Sequence, residues 1–454
     1  MKKKVLDFYK SIQPHAYHIE DAAMDNHIRG GKDLEMFIRS AKMLAREGVL
    51  TCTRPDVYQY EEQQHEEYEG IYKGYRKSYG FVIMLDDEDI YVAEQNKGTA
   101  MHNDKVRVRV VPSDYTKHKR EGIIVDVIER ANETVVGTYD RQQYFGFVVP
   151  DDERIGTDIF VDLKNTLDAR SGAKVLVKIT KWPEGNKKPE GIITEVLGYK
   201  GDVGLDINCI MANHKIPFAF SDEVIKASKK IDTVIHEDPK RWDLRDLQMV
   251  TIDGEDAKDL DDAVSGRKLP NGNYELGVHI ADVSHYVTSG QPIDNEAYKR
   301  GTSVYLVDRV VPMLPEVLSN GICSLNAHED RYAMTCMMEI DDSGTVVNYR
   351  IRPSIIHVGR RCSYKEVYKA LEENIIPDDL QDFMPMLRDL AEISKILNRM
   401  RRRRGALDFD FPEYKVLLDL DGTPLRIVKR DRTMAERLIE ECMLIANETV
   451  ATHL

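Results

Sequence analysis

The chain has 454 residues, of which 42% are hydrophobic and 31% charged, and its formal net charge is −14. At roughly 100–200 residues per domain this exceeds one compact core, and the balance excludes a disordered or collagen-like chain. The acidic total also excludes a uniformly basic nucleic-acid binder, so a polyanionic partner must be met by a local basic surface or through metal ions. The six cysteines, Cys52, Cys209, Cys323, Cys336, Cys362 and Cys442, show no C-x-x-C pair and no zinc-finger spacing, which fits a reduced, cytoplasmic protein. Met1-Lys2-Lys3-Lys4 resembles a signal-peptide start, but Asp7 and Lys10 interrupt the apolar stretch that should follow. No apolar run reaches about 18 residues, so a soluble, non-exported chain without membrane contact is expected.

Residues 1–62 read as a small helical, winged-helix-like domain: helices at Val5–Ile12, from Ile19, and at Asp33–Glu47, then a strand pair within Val49–Tyr60. Asp33 is the expected cap of the third helix, whose Leu34, Phe37, Ile38, Ala41, Leu44 and Ala45 share one face. Nucleic-acid binding and a docking or regulatory role stand equal for this segment, and no base contacts are assigned to it.

An internal repeat follows. Gly70-Ile-Tyr-Lys-Gly-Tyr-Arg-Lys-Ser-Tyr79-Gly80-Phe81-Val82 recurs as Gly137-Thr-Tyr-Asp-Arg-Gln-Gln-Tyr-Phe145-Gly146-Phe147-Val148. Downstream, Ile90-Tyr91-Val92 matches Ile159-Phe160-Val161, and Asp104-Lys105-Val106 matches Ala173-Lys174-Val175. Two copies of a small all-β unit are expected, at 63–132 and 133–198. The pattern resembles cold-shock domains, which are OB-fold barrels. That resemblance implies that Tyr79, Phe81 and Tyr91, and Phe145, Phe147 and Phe160, stack on unpaired bases, with some turned into the core because strand residues alternate. Lys97, Lys105, Arg107, Arg109, Lys117, Lys119 and Arg120 supply a local positive surface.

Residues 199–454 read as one mixed α/β domain without repeats. Strands are expected at Gln248–Ile252, at Ala263–Leu269 and Tyr274–Ile280 around Asn271-Gly272, and at Glu413–Leu420 and Leu425–Arg430 around Asp421-Gly422. Helices are expected at 364–373, at 386–404 and from Thr433, which with Glu436 forms a capping box. The last helix has no Gly or basic closing turn, so the natural protein is expected to be longer, with this chain truncated inside its last domain.

The densest chemistry is Asp253-Gly-Glu-Asp-Ala-Lys-Asp259-Leu-Asp261-Asp262, six carboxylates and one Lys between two apolar strands. Carboxylates crowded in this way repel, and divalent cations relieve the repulsion. Oxygen ligands without His or Cys select Mg²⁺ or Mn²⁺, and a pair of such ions is suited to phosphodiester cleavage. The EF-hand register is missing. A solvated acidic loop is the competing reading of the residues alone.

Thr251-Ile-Asp253-Gly-Glu-Asp-Ala-Lys-Asp259-Leu-Asp261-Asp262-Ala263, followed by His279-Ile-Ala-Asp282-Val-Ser-His285-Tyr-Val, resembles the signature of the ribonuclease II/R (RNB) family catalytic domain. With the preceding domains, the resemblance covers nearly the whole chain. It implies a multidomain architecture: a winged-helix-like α(+β) start, two OB-fold barrels and an incomplete α+β RNB catalytic domain. It further implies a processive 3′-to-5′ hydrolytic exoribonuclease that releases nucleoside 5′-monophosphates from single-stranded and structured RNA. Asp253, Asp259, Asp261 and Asp262 then correspond to the catalytic, metal-binding aspartates, with Mg²⁺ or Mn²⁺ as cofactor. Tyr305 and Phe409 correspond to aromatics that clamp the last nucleotides, and Tyr364 and Glu441 to further RNA contacts. Arg401 and Arg404, in the run Arg399–Arg404 just before Phe409, are expected at the RNA backbone, a solvated helix surface being the alternative. His279 and His285 read as packing and hydrogen-bonding residues. RNA is the expected partner, the ribosome and RNA-decay factors are further candidates, and the chain is expected to be monomeric.

The family's arginine-rich segment near the scissile phosphate and its C-terminal S1 domain are not found in this sequence, so the chain by itself is expected to be weak or inactive. A non-catalytic RNA-binding or regulatory protein on the same architecture is the alternative function. Retention of all four aspartates favours the enzyme.

Overall fold

The computed structural model describes every residue except 47, 61–65, 76–78, 86, 112–119, 186, 408, 410, 420 and 431. The chain divides into two compact units, Met1–Asn213 and His214–Leu454.

The first unit opens with helices Lys2–Ser11, Ile19–Asp25 and Gly31–Arg46 and a three-stranded sheet in the order Tyr17–His18, Val57–Gln59, Thr51–Arg54. The third helix begins two residues before Asp33, which sits in its first turn instead of capping it. The expected apolar face holds: Phe37, Ala41 and Leu44 are buried, and Leu34, Ile38 and Ala45 pack against them. The expected end at Glu47 lies outside the described residues.

Two closed five-stranded barrels follow. The first is built from Glu67–Tyr75, Tyr79–Ile83, Ile90–Ala93, Lys105–Val111 and Glu121–Glu129, the second from Thr134–Arg141, Phe145–Pro150, Ile159–Asp162, Ala173–Lys181 and Glu190–Tyr199. Their hydrogen-bonding circuits are identical. In each, the third strand pairs parallel with the fifth, through Tyr91 opposite Glu121 and Phe160 opposite Glu190. The interiors also correspond. Tyr72, Val82, Ile90 and Val106 fill one, and Tyr139, Val148, Ile159 and Val175 fill the other. Each barrel has a glycine where the ring of its internal tyrosine passes. A Cβ at Gly80 would lie 2.3 Å from the Tyr72 ring, and one at Gly146 2.3 Å from the Tyr139 ring.

The second unit is a seven-stranded sheet in the order Trp242–Leu244, Val346–His357, Asp330–Ile340, Tyr274–Ala281, Asp262–Lys268, Val250–Asp253, Arg360–Ser363. Val264, Leu276, Val278, Cys336 and Met338 face the helices Tyr364–Glu372, Met384–Arg403 and Met434–His453. Ala263, Ala281, Ala333, Ile356 and Val358 form a second core with Val224, Ile293 and Leu318 on the other side. The small residues on this second side let its elements approach closely, while the larger ones seat the long helices. Both expected hairpins and the Thr433–Glu436 capping box are present.

The strands Asp330–Ile340 and Val346–His357, the longest in the sheet, have no counterpart in the sequence reading. Asp330–Ile340 is mostly buried and so lacks the polar alternation that marks a strand, and its Met, Cys and Ala content is a weak β signal, whereas Val346–His357 is mostly exposed over its first half and buried only at Ser354–Ile356. Pro353 also argues against a central strand. It is accommodated because the neighbouring short strand pairs only with Ser354–Ile356, leaving Pro353 just beyond its end.

Among the described residues no helix is long and apolar enough to cross a membrane, and all six cysteines are free.

Candidate active site

The acidic loop spans the gap between the strand Val250–Asp253, which pairs parallel with Arg360–Ser363, and the strand Asp262–Lys268. Asp253 ends one strand and Asp262 begins the other, so sheet pairing alone brings these two carboxylates to the same end of the sheet. Leu260 is buried and anchors the loop in the core, leaving its neighbours Asp259 and Asp261 outside it.

Three of these carboxyls are raised by burial and by the charge of their neighbours. Burial, then the charge of Asp259, raises the Asp253 carboxyl above its ordinary range, although its own hydrogen bond from the Gly254 N–H opposes this. Burial and the charges of Asp259 and Asp253 raise Asp261. Asp262 is pushed up to about 6 by burial, with Asp253 and Asp261 adding to it. The Asp259 carboxylate accepts a hydrogen bond from the Tyr305 hydroxyl, which holds the phenol well above its usual range. Tyr364 is raised too, by burial and by Asp253 and Asp262, which places it beside the same charges.

Cations surround the loop. Arg361 donates to the carbonyls of Gly254, Glu255 and Ala257, Lys415 pairs with Asp256 at 2.7 Å, and both Arg361 and Arg430 lower Asp253. Sequence reasoning named none of these three, nor Ser324, whose hydroxyl bonds the loop backbone on its other side. The one available signal was the Arg360-Arg361 pair just before Tyr364.

Next to this cluster lies a cleft of about 940 Å³ lined by Tyr364, Arg401, Phe409, Phe411, Arg430 and Arg432, among others. Phe409 and Phe411 stack on each other at 5.8 Å and 11°, and Phe409 is 65% exposed, as is Tyr305. Tyr364, Arg401 and Phe409 therefore meet in one cleft, while Tyr305 stands at the aspartates. Glu441 is 3% exposed and is occupied by Arg401, whose Nη2 lies 2.9 Å from Oε1, and by Asn398. Arg404 pairs with Glu448 at the surface. These three side chains, read as RNA contacts from sequence, already have protein partners. His279 is fully buried between the Ser265 and Thr335 hydroxyls, and the His285 ring packs edge-on against Tyr332, so both are packing and hydrogen-bonding groups.

In the first unit, strand alternation puts Gly80 and Val82 inside their barrel and leaves Tyr79 and Phe81 half-buried on its outer face, where Phe81 stands opposite Tyr91. The three rings form a cluster with centroids 5.7–5.9 Å apart. Phe145, Phe147 and Phe160 repeat it at 5.3–5.9 Å, with the Lys188 ammonium 4.7 Å from the Phe147 ring. The expected basic surface is largely matched by acids: Lys97 pairs with Glu94, Lys105 and Arg107 with Glu69, Arg109 with Glu67 and Arg120 with Asp87. Lys117 and Lys119 lie outside the described residues.

Among the described residues no three His, Cys, Asp or Glu side chains converge on one metal-binding point. The donor chemistry nevertheless fits a hard divalent cation, because four mutually repelling carboxylates, one of them held up to about 6, carry charge that an oxygen-seeking cation would neutralise.

A catalytic-domain sheet with an aspartate cluster, preceded by two OB-type barrels, defines the RNB class of proteins, and the chain belongs to the RNB family. Residues 241–454 match the RNB domain, 147–221 the cold shock domain and 70–127 the ribonuclease B OB domain. Among its relatives, ribonuclease R of Thermotoga maritima is 46% identical over 376 residues, covering 82% of this chain and 53% of the relative. Ribonuclease R of Escherichia coli K12 is 36% identical over 438 residues, covering 95% and 53%. The structure of Mycoplasma genitalium RNase R in complex with ribose methylated single-stranded RNA superposes with a TM-score of 0.78 at 30% identity, covering 85% of this chain and 62% of that one. The chain is ribonuclease R-like, and it spans about half the length of the curated relatives it matches.

Proposed function

We propose that the chain forms the substrate-handling and catalytic part of a cytoplasmic 3′-to-5′ hydrolytic exoribonuclease that releases nucleoside 5′-monophosphates. The observation that carries this reading is the junction of the aspartate cluster with an aromatic, arginine-lined cleft, through Tyr364 and Arg430, which belong to both. RNA is the substrate class favoured by the ribonuclease R relatives, one of whose structures holds RNA.

In this reading Asp253, Asp259, Asp261 and Asp262 hold Mg²⁺ or Mn²⁺, with the ion itself left open by the donor set. When bound, such ions supply Lewis acidity and an activated water for phosphodiester cleavage. The chain's own groups orient the strand. Tyr305 and Phe409 offer exposed ring faces on which any terminal base can stack, and the stacked Phe411 stiffens Phe409. Arg430 and Arg432, paired at the cleft with Glu413 and Glu440, are the cations there that a phosphate backbone would recruit. The outer aromatic clusters of the barrels, with Lys188 over Phe147, give unpaired RNA a sequence-tolerant track.

The test is degradation of a 5′-labelled single-stranded RNA with Mg²⁺ or with EDTA. We expect a version extended to the full length of its relatives to shorten the RNA progressively from the 3′ end, with shortening lost in EDTA and in Asp261→Asn, while Asp261→Asn still binds RNA. Undiminished hydrolysis by Asp261→Asn would remove the aspartates from the reaction. Tight RNA binding with no hydrolysis by this chain or by a version extended to the full length of its relatives would point to a binding protein.

A further inference from the structure

We propose that Ser324 and Arg361 are positioning residues for the hydrolytic reaction, clamping the backbone of the acidic loop at both ends and so fixing Asp259 and Asp261 relative to Asp253 and Asp262. The inference rests on the exoribonuclease reading. Four carboxylates gathered at one end of a sheet push one another apart. A loop between two strands yields to that push unless its backbone is held.

Arg361 holds the first half. It lies on the strand Arg360–Ser363, directly opposite Thr251, which sets its side chain beside the start of the loop. Its Nη2 is 3.3, 3.0 and 2.7 Å from the carbonyl oxygens of Gly254, Glu255 and Ala257. Three carbonyls drawn to one guanidinium curl the chain between Asp253 and Asp259, through bonds strengthened by the charge.

Ser324 holds the second half. It is fully buried, and its hydroxyl donates to the Lys258 carbonyl at 2.8 Å and accepts from the Leu260 N–H at 3.2 Å. The next N–H, of Leu325, donates to the Leu260 carbonyl at 2.8 Å. Asp259 is thus fixed on both sides. A hydroxyl acts here as donor and acceptor in a small volume, so alanine would leave the buried Leu260 N–H and the Lys258 carbonyl without this partner. Ser324 is itself tied down, because the buried Arg331 donates from Nε to its carbonyl at 2.9 Å. Ser324 and Arg361 both bond backbone atoms of the loop, which is why they position its carboxylates instead of reacting.

The experiment compares the parent chain with Ser324→Ala, Arg361→Ala, Arg361→Lys and Asp262→Asn. It measures Mn²⁺ binding by electron paramagnetic resonance and RNA affinity by anisotropy on these proteins, and hydrolysis at saturating RNA on the same variants of a version extended to the full length of the relatives. Residues that orient metal ligands change metal affinity or activity by about ten- to a hundredfold when replaced. We expect Ser324→Ala and Arg361→Ala to weaken Mn²⁺ binding and slow hydrolysis by that factor while RNA affinity stays within about twofold. Arg361→Lys, which keeps the charge but not the guanidinium fork, should fall between. Parent-like Mn²⁺ affinity and rate in both alanine variants, with Mn²⁺ binding lost in Asp262→Asn, overturns this inference and leaves the exoribonuclease reading intact. No Asp262-dependent Mn²⁺ binding in the parent overturns both. Should Ser324→Ala fail to fold, the exposed Arg361 variants decide the matter.

Discussion

Removing Arg401 should unfold the second unit far more readily than removing Arg404, although the two arginines are three residues apart on one helix end. Arg401 reaches Glu441 with Nε at 3.2 and 3.0 Å from its two oxygens and Nη2 at 2.9 Å from Oε1. Glu441 is 3% exposed, and Asn398 adds a single neutral donor at 2.9 Å. Arg401→Ala therefore strands a buried carboxylate, and breaking such a pair from one side costs about 3–5 kcal/mol. The Arg404–Glu448 pair is 48% and 41% exposed, in the range where an ion pair contributes roughly 0–1 kcal/mol. The assay is urea unfolding at pH 7 followed by Trp242 fluorescence in a Trp182→Phe background, since Trp182 belongs to the other unit. Replacing both partners, Arg401→Met with Glu441→Leu, should recover most of the loss, because no charge is then left buried. Equal destabilisation by Arg401→Ala and Arg404→Ala, or a loss under about 1 kcal/mol for Arg401→Ala, would refute the reading that Arg401 neutralises a buried Glu441.

The glycines that admit the internal tyrosines should be intolerant in the same way in both barrels: Gly80→Ala and Gly146→Ala each push a Cβ to 2.3 Å from a ring and should destabilise by about 1–3 kcal/mol in thermal melts. Phe147→Ala, on the outer face, should leave the melting temperature nearly unchanged and weaken binding of a labelled single-stranded RNA by about 1–3 kcal/mol; unchanged affinity would remove that face from the RNA path. His279 is neutral in the fold, its pKa driven down to about 3 by burial, whereas in the unfolded chain it titrates near its ordinary value of 6.5. Its stability contribution is complete above about 6.5 and drains away as pH falls, by about 2 kcal/mol at pH 5, and a His279→Asn variant should lose that slope in urea titrations run at pH 7 and pH 5.

What was legible in the sequence is what neighbouring residues decide among themselves. The aspartate cluster, the repeat and the hairpins at Asn271-Gly272 and Asp421-Gly422 are local, and they emerged with nearly correct bounds. The groups that organise the site act across the fold instead. Ser324 meets Leu260 across 64 residues and Arg361 meets Ala257 across 104, and in the sequence each is an ordinary serine or arginine. The arginine run before Phe409 hid its protein partners for a related reason. A charge run is equally compatible with a phosphate backbone and with one buried glutamate, and only the packing of Met434–His453 against Met384–Arg403 delivers Glu441 to Arg401.

The barrel aromatics are the instructive intermediate case, because strand alternation alone leaves open which of two faces they occupy. The answer was nonetheless written in the residue between them. A strand position facing the interior of a small barrel normally carries a large aliphatic side chain, and a glycine there makes sense only if another side chain fills its space. Tyr79-Gly80-Phe81 and Phe145-Gly146-Phe147 each set a glycine between two aromatics, and in each copy a tyrosine eight or seven residues earlier, Tyr72 or Tyr139, fills that space. Once the glycine is inside, period-2 geometry leaves its flanking rings outside. The two recurring features of the repeat, small residue and outward aromatics, are then one requirement: an internal ring that closes the barrel displaces its neighbours' rings to the surface, where they pack into one aromatic cluster per barrel.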